Sequence, residues 1–269
     1  MREILNDIKI SDIVSSVPIL PSVLSAEEPL IIIAFLLSVA KKSNALVKDA
    51  GGTLIGEVGT ADLFNAFYPD YKEIWKRLYT IKLKDVARKI KFLIPEFPLG
   101  TYYYKLKDSK YTDAVVISNE KPISFITPYS LLKYYFLKSK IPDLKIDQIQ
   151  SNLISVESNV TVREILRLMI EKWIRKVVIK GKVVDDRSFL EHGIFNMNYL
   201  SILAKEPDTL LNMQVESIED LLKDPDTYSK KDSIYEISKK VLNSEIDCAV
   251  SEDYKYIITP YDIAIKPYI

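Results

Sequence analysis

"ITPYD" at Ile258–Asp262 has a near twin, "ITPYS" at Ile126–Ser130. The two threonines, Thr127 and Thr259, stand 132 positions apart in a chain of 269 residues, close to half its length. Each motif reads as the start of a helix. Thr is a good N-cap, Pro is favoured at the first helical position, and an acid in the first turn suits the helix dipole. Each is preceded by a short apolar run, "PISFI" or "KYII", of strand character.

Working outward, further repetition appears, and repeats decide a fold before single elements do. A pattern of hydrophobic, any residue, Asp or Gln, hydrophobic occurs as Ile10-Ser-Asp-Ile13, Leu83-Lys-Asp-Val86, Ile146-Asp-Gln-Ile149 and Ile218-Glu-Asp-Leu221. Ser25-Ala-Glu-Glu28, Thr161-Val-Arg-Glu164 and Ser233-Ile-Tyr-Glu236 each fit the capping box, in which hydroxyl and carboxylate satisfy free N–H groups of a first turn. Each box opens an apolar-periodic run, such as Val162, Ile165, Leu166, Met169 and Trp173 on one helical face. The second unit lacks the box and offers Thr101 and "YYYKLK" in its place.

After each helix comes a strand pair around a turn. Gly51-Gly52, Ser118-Asn-Glu120, Lys180-Gly181 and "SEDY" (Ser251–Tyr254) are the turns. Each second strand runs into another helix: "TADLFNAF", "TPYSLLKYYF", "DDRSFLEH" and "TPYDIAI". The chain therefore reads as an α/β (α+β) protein of four β-α-β-β-α repeats. The expected division is a first pair over 9–139 (repeats at about 10–70 and 83–139) and a second over 141–269 (about 146–200 and 215–269). The segment "KSKIPDLK", with Pro142, is the expected boundary.

Composition narrows the function. Lys+Arg and Asp+Glu both number 37, so no global field attracts nucleic acid or an anionic membrane. One cysteine, Cys248, excludes an internal disulfide and a multi-Cys zinc site. One histidine, His192, argues against a His-based metal site or a Ser/His/Asp triad. Among only 7 glycines there is no phosphate loop of the GxxxxGK[ST] or GxGxxG kind. The apolar run "PLIIIAFLLSVA" (Pro29–Ala40) is shorter than the ~20 residues a bilayer requires. These features imply a cytoplasmic, non-enzymatic protein with no metal and no membrane association. Abundant Lys, Glu and Ile with scarce Gln lean toward a thermophilic source.

The order of elements, the repeat length and the hairpin ends resemble a protein with four cystathionine-β-synthase (CBS) motifs in two tandem pairs. That family's hairpin leads into G-hydrophobic-hydrophobic-[ST]-x-x-D, which the chain matches at Tyr256-Ile-Ile-Thr259-Pro-Tyr-Asp262 except at the glycine. The resemblance implies clefts that take adenine nucleotides (AMP, ADP or ATP) or S-adenosylmethionine, with Thr/Ser near phosphate and Asp on the ribose. It also implies two pairs that can close into a disc as a monomer, with a homodimer as the alternative. An unidentified protein would be the regulated partner.

On that resemblance the four units are unequal. Unit four keeps Thr259 and Asp262. Unit one keeps Asp62, but Gly59 stands at the hydroxyl position and Thr60 comes one place late. Unit two keeps Thr127 but has Ser130 for the acid, and unit three has Asp185 and Ser188. Arg175, Lys176 and Arg187 of unit three are candidates for phosphate contacts in the cleft shared with unit four. The leading expectation is a ligand-sensing regulatory protein. The alternative is an interaction or nucleic-acid-binding scaffold with degenerate, empty clefts, in which the same residues do no more than cap helices.

Overall fold

In the computed structural model the described residues are 2–39, 44–67, 73–107, 109–218 and 220–269. Four three-strand units recur along them. In the first, strand Ser22–Ser25 precedes helix Leu30–Val39, strands Asn44–Lys48 and Leu54–Gly59, and helix Thr60–Phe67. The second comprises Phe92–Leu93, helix Leu99–Leu106, Ala114–Ser118, Lys121–Ile126 and helix Pro128–Leu137. The third has Ser155–Val156, helix Val162–Lys172, Lys176–Ile179, Lys182–Asp185 and a helical turn, Asp186–Ser188. That turn widens into a π-helix over Phe189–Ile194, which contains His192. The fourth has Asp226–Tyr228, helix Ile234–Asn243, Ala249–Ser251, Tyr256–Ile258 and helix Pro260–Ala264. In every unit the first strand pairs parallel to the second, and the second antiparallel to the third.

The turns follow their local chemistry. Lys180 and Gly181 both have positive φ, 50° and 80°, as a two-residue hairpin of the primed type demands. Asn119 and Glu120 do the same with φ of 48° and 62°. The capping boxes at Thr161 and Ser233 are present, with Glu164 and Glu236 each accepting the backbone N–H of the cap at 2.8 Å. Ser25 departs from expectation. Glu28 does accept the Ser25 N–H, at 3.2 Å, but the helix starts only at Leu30, so this box closes a turn after the first strand. Trp173 also departs. It ends its helix in the left-handed region (φ 53°) and is 50% exposed, so the core face stops at Met169.

The short repeated pattern proves to be structural. Helices Ile10–Ser16, Leu83–Val86 and Ile146–Ile149 begin at these sites. Asp12, Asp85 and Gln148 accept the backbone N–H of Lys9, Lys82 and Lys145 at 2.9, 3.1 and 3.1 Å. Ile10, Ile13, Leu83, Ile149, Ile218 and Leu221 are buried. Glu219 of the fourth copy lies outside the described residues.

From each such site the chain runs on as an extended arm beside the third strand of another repeat. Ile19, on the way into repeat one, accepts the Phe125 N–H of repeat two at 2.9 Å. Arg88, leading into repeat two, bridges Glu57 of repeat one. Ser151–Asn152, leading into repeat three, pairs with Tyr256–Ile257 of repeat four. Lys223, leading into repeat four, bridges Val183 of repeat three. Each arm thus covers a sheet edge that would otherwise expose unpaired backbone groups.

Two compact units result. One holds Met1–Pro21, Ile90–Leu153 and Pro225–Ile269, with repeats two and four, and the other holds Ser22–Lys89 and Ile154–Asp224, with repeats one and three. Each compact unit thus draws on both expected halves, 9–139 and 141–269. The hairpins at Gly51-Gly52 and at Asn119 fall in different units. Each unit has its own core. Leu30, Ile33, Leu63 and Phe67 pack with Leu166, Phe189 and Leu211 in one. Tyr102, Leu131 and Tyr135 pack with Ile237, Ile258 and Ile263 in the other.

Candidate functional site

The four helix starts that follow the hairpins carry the candidate residues. In repeat four, Thr259 caps helix Pro260–Ala264. Its backbone N–H and its hydroxyl both donate to Asp262 Oδ2, at 2.9 and 2.7 Å. Asp262 is 2% exposed. Its other oxygen, Oδ1, accepts the Ser151 hydroxyl from the arm at 2.5 Å and lies 3.7 Å from Lys266 Nζ. The Lys266 ammonium donates to the carbonyls of Ile149 and Gln150, both at 2.9 Å, and to Ser151 Oγ at 3.2 Å. Those carbonyls end helix Ile146–Ile149, where a cation is favoured. Tyr228 donates to Gln150 Oε1 at 3.2 Å, and burial, then the nearby Asp262 carboxylate, holds its phenol well above the usual value.

In repeat one, Thr60 and Asp62 are both buried in the first turn of helix Thr60–Phe67. Asp62 Oδ2 accepts the Gly59 N–H at 2.8 Å and also pairs with the Arg88 guanidinium. Arg88 Nε in turn meets Glu57 Oε1 at 3.1 Å, with Arg88 11% and Glu57 0% exposed at the side chain. The arm reaches this position because residue 56 is Gly. A Cβ there would meet the Ala87 Cβ at 2.6 Å and the Arg88 carbonyl at 3.0 Å.

In repeat two, Thr127 and Ser130 cap each other. The Ser130 N–H reaches Thr127 Oγ1 at 3.1 Å and the Thr127 N–H reaches Ser130 Oγ at 2.9 Å. In repeat three, Asp185 accepts the Ser188 N–H at 2.7 Å.

The basic candidates make contacts within repeat three. Arg175 clasps Asp186 bidentately, through Nε at 2.6 Å and a terminal nitrogen at 3.2 Å, so its fork is already turned to a carboxylate. Lys176 is a half-buried strand residue opposite Asp185, and Arg187 is half-buried in the turn that follows. All three belong to the compact unit that lacks Thr259 and Asp262. Within its own unit, Asp262 of repeat four meets Ser151 and Lys266, with Tyr228 nearby. Of these Lys266 left a sequence signal, four places after Asp262, and it stands in the 3-10 turn Lys266–Tyr268 that follows the helix. A cavity of about 510 Å³ lies elsewhere in that unit, between Ser139–Asp147 and Lys230–Tyr235, and no candidate residue lines it. Among the described residues no group of three His, Cys, Asp or Glu could hold a metal ion, and no helix is long and apolar enough to cross a membrane.

The fold has counterparts among solved structures. A Methanocaldococcus jannaschii protein, presented as a proposed archaeal homolog of g-AMPK, superposes with a TM-score of 0.77 at 14% identity, over 96% of this chain and 99% of its own. The chain has the fold of four CBS motifs. An uncharacterized conserved protein from Pyrococcus horikoshii shares the fold at a TM-score of 0.60 and 14% identity, over 97% of this chain and 100% of its own. The CBS domain of a Sphaerobacter thermophilus membrane protein matches 49% of this chain and 90% of its own, at 17% identity and a TM-score of 0.41. No family model matches the chain, and no curated protein matches it in sequence. The CBS fold accounts for the four equivalent helix starts.

Proposed function

We propose that the chain is a non-catalytic regulatory protein that senses an adenine nucleotide (AMP, ADP or ATP) or S-adenosylmethionine, with repeat four as its principal site. The whole-chain fold likeness to the M. jannaschii protein supports the class. One observation carries the choice of site. Asp262 Oδ2 is spent on the helix cap, whereas Oδ1 accepts its one hydrogen bond from an exchangeable hydroxyl, that of Ser151. A ribose diol offers the same donor twice, so it can take the place of Ser151 with no loss of bonding. Thr259 then lies at the phosphate side, where the positive end of the helix dipole favours an anion. Displacing Ser151 would loosen the arm Ser151–Asn152 from strand Tyr256–Ile258, a change that a partner protein can read.

A second reading, a scaffold with empty clefts, is favoured by a different observation. At all four helix starts the polar side chain already meets a protein donor: Asp62 with Gly59 and Arg88, Ser130 with Thr127, Asp185 with Ser188, and Asp262 with Thr259. Calorimetry with each of the four ligands separates the readings. Asp262→Asn keeps an acceptor for the cap but loses the charge. It should weaken binding by about tenfold, while Ser130→Ala leaves affinity unchanged. Undiminished binding in folded Asp262→Asn, or none in the wild type, would favour the scaffold.

A further inference from the structure

The arm residue beside each hairpin occupies one equivalent position in all four repeats. It lies opposite the strand residue five places before the acid position: Ile19 beside Phe125, Arg88 beside Glu57, Ser151 beside Ile257 and Lys223 beside Val183. The four side chains differ in kind. In two repeats the side chain reaches the acid itself, Arg88 to Asp62 and Ser151 to Asp262. Sequence position does not suggest this, because the arms come from 26 residues after Asp62 and from 111 residues before Asp262.

We infer that the arm residue determines which cleft can admit a ligand: Arg88 is a built-in occupant that keeps repeat one closed, and Ser151 leaves repeat four openable. The inference rests on the nucleotide-sensing reading above. Arg88 brings a full positive charge between two carboxylates in a space from which water is nearly excluded. A neutral ribose diol cannot replace it, because its departure takes a full positive charge from between two buried carboxylates and a diol returns none. Ser151 offers a single neutral hydroxyl to Asp262, and exchanging one hydroxyl for another costs little net free energy. Lys266 stays beside Asp262 in either state, so the carboxylate is not left without a cation. The retained acid in repeat one is then no sign of a second working cleft, since its ligand position is filled from within the chain.

Two reciprocal variants test this by calorimetric stoichiometry, with AMP, ADP, ATP and S-adenosylmethionine each titrated separately. Glu57→Gln/Arg88→Ser removes the occupant and one carboxylate together, which avoids stranding two charges, and should add a second, weaker site. Ser151→Arg should close repeat four and reduce binding there by about tenfold or more. Circular dichroism and thermal unfolding establish that each variant is folded. A folded Ser151→Arg protein that binds like the wild type, or a folded Glu57→Gln/Arg88→Ser protein without an added site, overturns the inference. If Asp262→Asn still weakens binding in that case, the nucleotide reading stands alone. If the wild type and every variant bind none of the four ligands, both fall.

Discussion

Arg88→Ala should be among the most damaging single substitutions in the chain. Arg88 is 11% exposed and lies between Glu57, fully buried, and Asp62, 6% exposed, so its removal takes the guanidinium from between two interior carboxylates. Breaking a buried ion pair from one side typically costs about 3–5 kcal/mol. For a chain of this size about 1 kcal/mol corresponds to roughly 2–4 °C, so the midpoint should fall by about 6–20 °C. Only side-chain contacts are lost, because the Arg88 N–H to Glu57 carbonyl bond at 2.9 Å and its reciprocal at 3.0 Å belong to the backbone. The decisive control is Glu57→Gln/Arg88→Met, which removes a charge of each sign and fills the volume with an apolar chain. It should recover part of the loss, since Glu57 is no longer charged while Asp62 still loses the guanidinium and keeps the Gly59 N–H. Thermal and denaturant unfolding of the single and double variants measure this. A loss under about 1 kcal/mol for Arg88→Ala would refute the reasoning, because that is the behaviour of a solvated surface pair.

Gly56→Ala should displace the same arm by another route, since its Cβ would come within 2.6 Å of the Ala87 Cβ; hydrogen exchange of the Glu57 and Arg88 amides should quicken, and unchanged exchange would show that the arm is not pressed there. Burial, with smaller help from neighbouring phenols and carboxylates, holds Tyr102, Tyr103 and Tyr135 well above the ordinary phenol pKa. Their neutral forms therefore stabilise the fold fully below about pH 10, the unfolded value, and that stability is lost as pH rises above it. Phenolate absorbance should show these tyrosines resisting ionisation until the unit unfolds, and a single smooth titration of all 17 tyrosines in folded protein would contradict it. Tyr103→Phe, which strips the Ala264 carbonyl of a donor at 2.7 Å, should cost about 1–3 kcal/mol by chemical denaturation.

The sequence by itself determined what is settled within one turn of chain. Thr161 and Glu164, Ser233 and Glu236, Lys180 and Gly181, and Thr259 and Asp262 carry their own geometry, because cap and hairpin bonds join residues three or four places apart. From such bonds the β-α-β-β-α order and its fourfold recurrence could both be read. Tertiary structure decided the rest. Helix Leu99–Leu106 has no side-chain cap, and its Leu99 N–H is satisfied by the Ile8 carbonyl at 2.7 Å, from a segment far away in sequence. Ser25 fits the same box as Thr161, yet the Leu30 N–H finds the Ile81 carbonyl at 3.1 Å and the helix begins there instead. Sequence spacing did not show that Asp186 clasps the Arg175 guanidinium. Asp62 and Asp262, alike as letters, differ in the arm residue each receives, Arg88 in one case and Ser151 in the other. A carboxylate's partners are chosen by whichever chain segment covers the sheet edge above it, and that choice is made by packing between segments that sequence spacing does not connect.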